Sequence, residues 1–144
     1  MSIPRKSSPA EQVVHEVYER LDQCPIERNC VQRTECCRFR TSGKTPYVTK
    51  GEALVAARAW RGTGRKRVSP PEDGSCPFLH PKTGRCQIYQ ARPLPCRTHF
   101  CQAAGGPYPR KAVQDLIWML ERVDHELQGD GARPIADAVQ EWLE

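Results

Sequence analysis

Eight cysteines among 144 residues constrain this chain more than any other feature of its sequence. They fall in two groups, Cys24, Cys30, Cys36 and Cys37, and then Cys76, Cys86, Cys96 and Cys101. Thiols at this density are either crosslinked as disulfides or bound to metal. The polar, proline-broken N-terminal stretch has no apolar run, which predicts a protein of the reducing cytoplasm. We therefore interpret the eight cysteines as ligands of a metal or an iron–sulfur cluster.

The spacing of the cysteines argues against a simple zinc finger. No C-x2-C pair occurs, although zinc ribbons use that short turn to present two sulfurs to one ion. The ligands must instead be gathered from separate loops, so we expect metal binding to be coupled to tertiary folding. Cys36 and Cys37 are adjacent, and in an extended backbone their side chains point to opposite faces, so one can ligate while the other serves a second metal or packs inside. His99, between Cys96 and Cys101, is a candidate nitrogen ligand.

Helical signals lie on both sides of the cysteine region. Ser8, Pro9 and Glu11 form a capping signal for a helix at about 8–23. A second capping box at Thr49 and Glu52 predicts a helix that ends at Gly62. Apolar residues at helical spacing predict C-terminal helices within about 110–143, the first ended by Gly129 and the second beginning near Pro134.

The cysteine core at about 24–109 lacks such periodicity and is rich in proline, which predicts irregular loops. Two short extended pieces, 76–79 and 86–89, flank a turn signal at 81–84 and are expected to form a small hairpin. The predicted fold is thus mainly α, with irregular cysteine-rich metal-binding loops and at most a small β-hairpin. We interpret residues 1–144 as a single domain.

The charge and hydropathy of the chain bear on its partners. The formal net charge is +5, but thiolates and their metal bring the working charge closer to neutral. A nucleic-acid surface would have to use a basic stretch with one aromatic residue: Arg58, Trp60, Arg61, Arg65, Lys66 and Arg67. A glycine-containing basic loop is more often simply solvated, so the sequence argues against nucleic acid. No run approaches the ~20 apolar residues of a membrane span. The partner, protein or small molecule, stays open.

The second cysteine group lies in a longer pattern, CPFL followed by C-x-I-Y-x-x-R-P-x-x-C-R, downstream of an adjacent cysteine pair. The pattern resembles the bacterial YkgJ-type cysteine-cluster family of zinc- or iron-chelating domains. Matching residues are Cys36, Cys37, Cys76, Pro77, Phe78, Leu79, Cys86, Ile88, Tyr89, Arg92, Pro93, Cys96 and Arg97. The chain departs from the family upstream, where Cys24 and Cys30 stand at x5 spacings instead of x2.

The resemblance implies a metal or iron–sulfur site. It also implies that three further residues lie close to that site. Arg92 and Arg97 flank Cys96, where guanidinium groups can hydrogen-bond to cluster sulfurs or lower the pKa of a thiol. Tyr89 is a candidate to cover the site from solvent. The leading hypothesis is an iron–sulfur protein, of [4Fe–4S] type, with a redox or metal-assisted role. The alternative is a structural four-cysteine zinc module that binds a partner or nucleic acid. No nucleotide-binding or nucleophile motif occurs, so enzymatic activity stays undecided.

Overall fold

This computed structural model describes residues 3–23, 45–98 and 108–144 of the protein. In chain order, its α-helices are α1 (Pro9–Asp22), α2 (Lys50–Gly62), α3 (Leu94–Thr98), α4 (Gln114–Glu126) and α5 (Ile135–Leu143). The described ranges also contain two strands, β1 (Tyr47–Val48) and β2 (Arg133–Pro134), and two 3-10 turns, Tyr89–Ala91 and Arg110–Val113. The predicted mainly α fold is confirmed.

Helix α1 begins where its capping signal predicts. The Glu11 amide donates to the Ser8 hydroxyl at 3.4 Å, and the Ser8 amide donates to the Glu11 carboxylate at 2.7 Å. This reciprocal pair satisfies amide groups that the first turn leaves without partners. The buried face of the helix carries Val14, Val17 and Leu21, so the helix packs as an amphipathic element.

Helix α2 lies at the centre of the fold. Its predicted capping box is present, because the Thr49 amide donates to the Glu52 carboxylate at 3.3 Å. Leu54, Ala57 and Trp60 are buried at helical spacing, and so is every residue from Gly51 to Ala57. The wider burial arises because α1, α4 and α5 all pack against this helix. We call α1, α2, α4 and α5 the helical frame.

The close approach of these helices depends on Gly51. A Cβ atom placed on Gly51 would lie 2.5 Å from a methyl carbon of Val123 and 3.1 Å from one of Val14. Those two valines come from α4 and α1 and are fully buried. The missing side chain therefore lets three helices meet at the first turn of α2.

The C-terminal helices end and begin close to the predicted points. Helix α4 ends at Glu126, and Gln128 rather than Gly129 takes the left-handed backbone conformation, with φ of 60°. Gly129 instead lies against the Asp124 carboxylate, where a Cβ atom would lie 2.5 Å from a carboxylate oxygen. Asp124 accepts the amides of Lys50 at 2.8 Å and Gly131 at 2.9 Å. This one buried carboxylate thus ties α2 to the turn after α4.

The small sheet joins distant parts of the chain. Strand β1 pairs antiparallel with β2, with Tyr47 opposite Pro134 and Val48 opposite Arg133. In the last turn of α5, the Trp142 indole donates to the carbonyl of Lys50, the first residue of α2, at 2.9 Å. None of the helices in the described residues combines the length and the apolar character needed to cross a membrane.

Candidate metal centre

Three of the predicted ligands lie in residues 76–98, which we call the cysteine segment. Cys76 is buried, and Cys86 and Cys96 are half-buried. The other predicted ligands lie outside the described residues: Cys24, Cys30, Cys36, Cys37, Cys101 and His99. Within the described part of the chain, no group of three or more histidine, cysteine or acidic side chains is arranged to hold a metal ion. The three described cysteines therefore do not form a ligand set by themselves.

The first half of the cysteine segment is a minimal hairpin, as its turn signal predicts. Leu79 and Cys86 form an antiparallel bridge, and the His80 amide donates to the Arg85 carbonyl at 2.8 Å. In the turn, His80 Nδ1 accepts the amides of Lys82 at 3.1 Å and Thr83 at 3.2 Å. The hairpin therefore pairs the backbone of Cys86 with that of Leu79, three residues after Cys76.

A buried aromatic contact attaches this hairpin to the helical frame. Phe78 is fully buried, and its ring meets that of Trp60 edge to face, with the ring centroids 5.1 Å apart. The Arg65 guanidinium lies 4.8 Å from the centroid of the Trp60 ring and donates to the Gln87 side chain at 2.6 Å. Phe78 matches the family pattern, but its packing role was not assigned from the sequence.

The second half of the segment is organised by its arginines. Arg92 Nε donates to the Tyr89 carbonyl at 3.0 Å, and its guanidinium stacks 3.8 Å from the centre of the Tyr89 ring. A second nitrogen of Arg92 lies 3.4 Å from the Cys96 carbonyl. Arg97 donates to the carbonyls of Arg92 at 2.5 Å and Gln90 at 2.6 Å. Both arginines thus bind the backbone around Cys96, and their predicted bonds to cluster sulfurs stay a prediction.

Helix α3, which carries Cys96, is anchored to the frame by Glu52. The Leu94 amide donates to one oxygen of this carboxylate at 2.5 Å, and the Tyr18 hydroxyl lies 3.4 Å from the same oxygen. The Arg97 guanidinium lies 3.9 Å from the centre of the Tyr18 ring. The sequence assigned Glu52 a capping role alone and did not single out Tyr18. No local sequence signal could have predicted the contacts of Glu52 with Leu94 and Tyr18, because these residues are 42 and 34 positions away in the chain.

Burial dominates the electrostatics of this group. It raises the pKa of the Glu52 carboxyl, although the hydrogen bonds from Leu94 and Thr49 oppose the change. Burial, followed by the charge of Glu52, also raises the pKa of the Tyr18 hydroxyl, and Cys96 adds to the same effect. Burial lowers the pKa of Arg97. Tyr18, Glu52, Arg97 and Cys96 are therefore electrostatic neighbours.

A cavity of about 560 Å³ opens beside α3. Its lining includes Glu52, Leu94 and Pro95, together with Ile117 and Leu120 of α4. Its walls combine apolar side chains with a few polar groups, which is typical of small-molecule pockets. Among the described residues, no cysteine lines this cavity.

Some residues of the basic stretch considered as a nucleic-acid surface contribute to the stability of the fold instead. Trp60 is buried, and its indole donates to the Arg67 carbonyl at 2.9 Å. Arg58 donates to the Glu11 carboxylate at 2.5 and 3.0 Å. Arg61 and Lys66 are exposed. Trp60 is therefore a core residue, and Arg58 is half of an ion pair.

The donors in the cysteine segment fit a zinc or iron ion by their chemistry, because thiolates suit both metals. A helical domain that presents several thiols from an irregular segment is typical of thiolate metal-binding proteins. Residues 28–119 match the family model CxxCxxCC, described as "Putative zinc- or iron-chelating domain". The chain belongs to this family. The match includes both cysteine groups except Cys24, which precedes it. No curated protein and no solved structure matches the chain.

Proposed function

We propose that the protein binds an iron–sulfur cluster of the [4Fe–4S] type through its cysteines, in a redox or metal-assisted role. The observations that carry the proposal are the family match over residues 28–119 and the separate presentation of Cys76, Cys86 and Cys96. They are presented from a buried loop, a bridge pair and a short helix, with no C-x2-C turn between them. The short C-x2-C turns of zinc ribbons are absent from the sequence, so we favour a cluster over a simple zinc finger.

The surroundings of the three cysteines support a negatively charged centre. Arg92 and Arg97 bring two guanidinium groups to the backbone around Cys96, where their positive charge would offset part of the negative charge of a thiolate-bound centre. Cys76 is only 6% exposed, which limits the access of water on that side. When bound, a cluster supplies one-electron redox chemistry or an iron that acts as a Lewis acid. The reducing cytoplasm would keep these thiols available to it.

A closed four-cysteine zinc site is the second candidate. The family description covers zinc as well as iron, and zinc has the same preference for thiolate ligands. Such a site would stabilise the fold and perform no chemistry.

Metal and acid-labile sulfide analysis of the anaerobically purified full chain tests the proposal. We expect a brown protein with about four iron and four sulfide per chain. A colourless protein with stoichiometric zinc and no sulfide would overturn the cluster and support the zinc module.

A pair of variants then tests the ligands. Cys86→Ser is expected to lose most of the iron and sulfide, because a serine hydroxyl is a poor ligand for a cluster. Gln90→Ala, an exposed residue of the same segment, is the matched control and should retain both. Equal retention in the two variants would remove Cys86 from the ligand set.

A further inference from the structure

Glu52 does more than cap its own helix. Its side chain is 2% exposed, and each of its oxygens accepts hydrogen bonds from a different direction. One oxygen binds the Thr49 amide at 3.3 Å and the Thr49 hydroxyl at 2.9 Å. The other binds the Leu94 amide at 2.5 Å and lies 3.4 Å from the Tyr18 hydroxyl. The carboxylate therefore joins α1 and α2 to the first residue of α3.

Helix α3 needs such an anchor because it is too short to be stable by itself. It has five residues, whereas isolated helices shorter than about 12 residues are marginal in water. One of the five is Pro95, which has no amide hydrogen to donate. The Cys96 amide donates to the Pro93 carbonyl at 3.0 Å. The position of Cys96 therefore depends on the residues that directly precede it.

A second line of contacts reaches the other side of Cys96. The Tyr18 ring lies under the Arg97 guanidinium at 3.9 Å, and the Tyr18 hydroxyl points to Glu52. Arg97 in turn holds the carbonyls of Arg92 and Gln90. Leu94, two residues before Cys96, is thus tied to Glu52, and Arg97, directly after Cys96, to Tyr18.

We infer that Glu52 and Tyr18 are positioning residues of the metal centre, which fix the place of Cys96 relative to the helical frame. This inference rests on the proposed function, because it takes Cys96 as a metal ligand. Replacing a residue that orients a metal ligand without binding the metal commonly lowers metal affinity about 10- to 100-fold. Their loss should therefore change how the metal is bound as well as how stable the fold is.

The experiment is a titration of the metal-free full chain with Co²⁺, whose visible absorption reports thiolate coordination and its geometry. Glu52→Gln keeps the volume of the side chain but places an amide NH₂ among donors, so the anchor to Leu94 or to Thr49 is lost. We expect about tenfold weaker Co²⁺ binding and a shifted visible absorption band. Tyr18→Phe keeps the ring under Arg97 and removes the hydroxyl, so a smaller change in the same direction is expected.

Thr49→Val is the matched control, because it removes a hydrogen bond to the other oxygen of Glu52. It should lower the unfolding temperature without shifting the Co²⁺ absorption band. Identical band positions and affinities in the wild type, Glu52→Gln and Tyr18→Phe would overturn the positioning role while leaving metal binding intact. A wild-type chain that binds no Co²⁺, zinc or iron would overturn the proposed function and this inference with it. If Glu52→Gln does not fold, the band position in Tyr18→Phe decides.

Discussion

The helical frame and the cysteine segment are held together by different interactions. In the frame, apolar side chains such as Val17, Leu54 and Val139 are almost fully buried between helices. In the segment, the residues around Cys96 are placed by hydrogen bonds with charged side chains: Glu52 accepts a backbone amide, and Arg92 and Arg97 donate to backbone carbonyls. Apolar packing is not directional, whereas a hydrogen bond fixes both distance and angle.

Substitutions in the two regions should therefore have different effects. Changes in the frame should alter the free energy of unfolding and leave the geometry around the cysteines nearly as it was. Changes among the polar anchors should alter that geometry at a smaller cost in stability. Phe78 is the exception, since it lies in the cysteine segment but packs like a frame residue.

The largest change in the free energy of unfolding is expected at Phe78. Phe78→Ala removes a fully buried ring and leaves a cavity next to Trp60, which should lower the free energy of unfolding by about 4 kcal/mol. Denaturant unfolding of the full chain as purified, with its metal, measures the loss. Trp118→Ala is the control, because that ring is 60% exposed and its removal should cost less than about 1 kcal/mol. Equal losses in the two variants would mean that Phe78 does not attach the segment to the frame.

A smaller change in stability is expected within the helical frame. Gly51→Ala places a methyl group against Val123 and Val14, and overpacking of this kind should cost about 2 kcal/mol. Gly62→Ala, in the same helix, meets no atom within 4 Å and should stabilise the protein by about 0.5 kcal/mol. Thermal unfolding of both variants measures the difference. Stabilisation by both substitutions would show that the helices are less closely packed than the structure has them.

The smallest effect concerns a polar contact within the frame. Glu11 is 1% exposed and pairs with Arg58, so Glu11→Gln should cost about 1.5 kcal/mol at neutral pH. Glu16→Gln, which breaks the exposed pair with Arg20, is the control and should cost at most about 0.5 kcal/mol. Urea unfolding at neutral pH compares the two variants.

The pH dependence of the Glu11 effect follows from its pKa. Burial raises the pKa of this carboxyl, but the hydrogen bonds from Arg58 and Ser8 outweigh it and hold the pKa below 4.5. The contribution of the carboxylate is therefore complete above about pH 4.5 and is lost as the pH falls through the lowered pKa. The stability difference between the wild type and Glu11→Gln should shrink under acid conditions. A difference that is constant with pH would contradict the ion pair.

Much of the fold could be predicted because its signals are local. The capping boxes at Ser8 and Thr49 and the apolar periodicity of α1, α2, α4 and α5 involve residues within a few positions of one another. The hairpin in the cysteine segment was predicted for the same reason, from a turn signal between two short extended pieces. Pairing of β1 with β2 was not predicted, since two-residue strands carry no periodicity and their partners are far apart.

The candidate site divides in the same way. Cys76, Cys86 and Cys96 were identified from residue type and spacing, and the predicted ligands from Cys24 to Cys37, with Cys101 and His99, lie outside the described residues. Tyr89, Arg92 and Arg97 were expected to act on the metal, and the structure adds their contacts with backbone carbonyls and aromatic rings.

The amino-acid sequence by itself determined the helices and the metal-binding family, because caps, periodicity and motif spacing are properties of neighbouring residues. The thiolate donors that it predicts stay a prediction. The tertiary structure alone decided that Gly51 lets three helices meet and that Glu52 holds Leu94, a partner 42 residues away. The capping box uses only one oxygen of the Glu52 carboxylate. Which backbone amide binds the other oxygen depends on the tertiary fold.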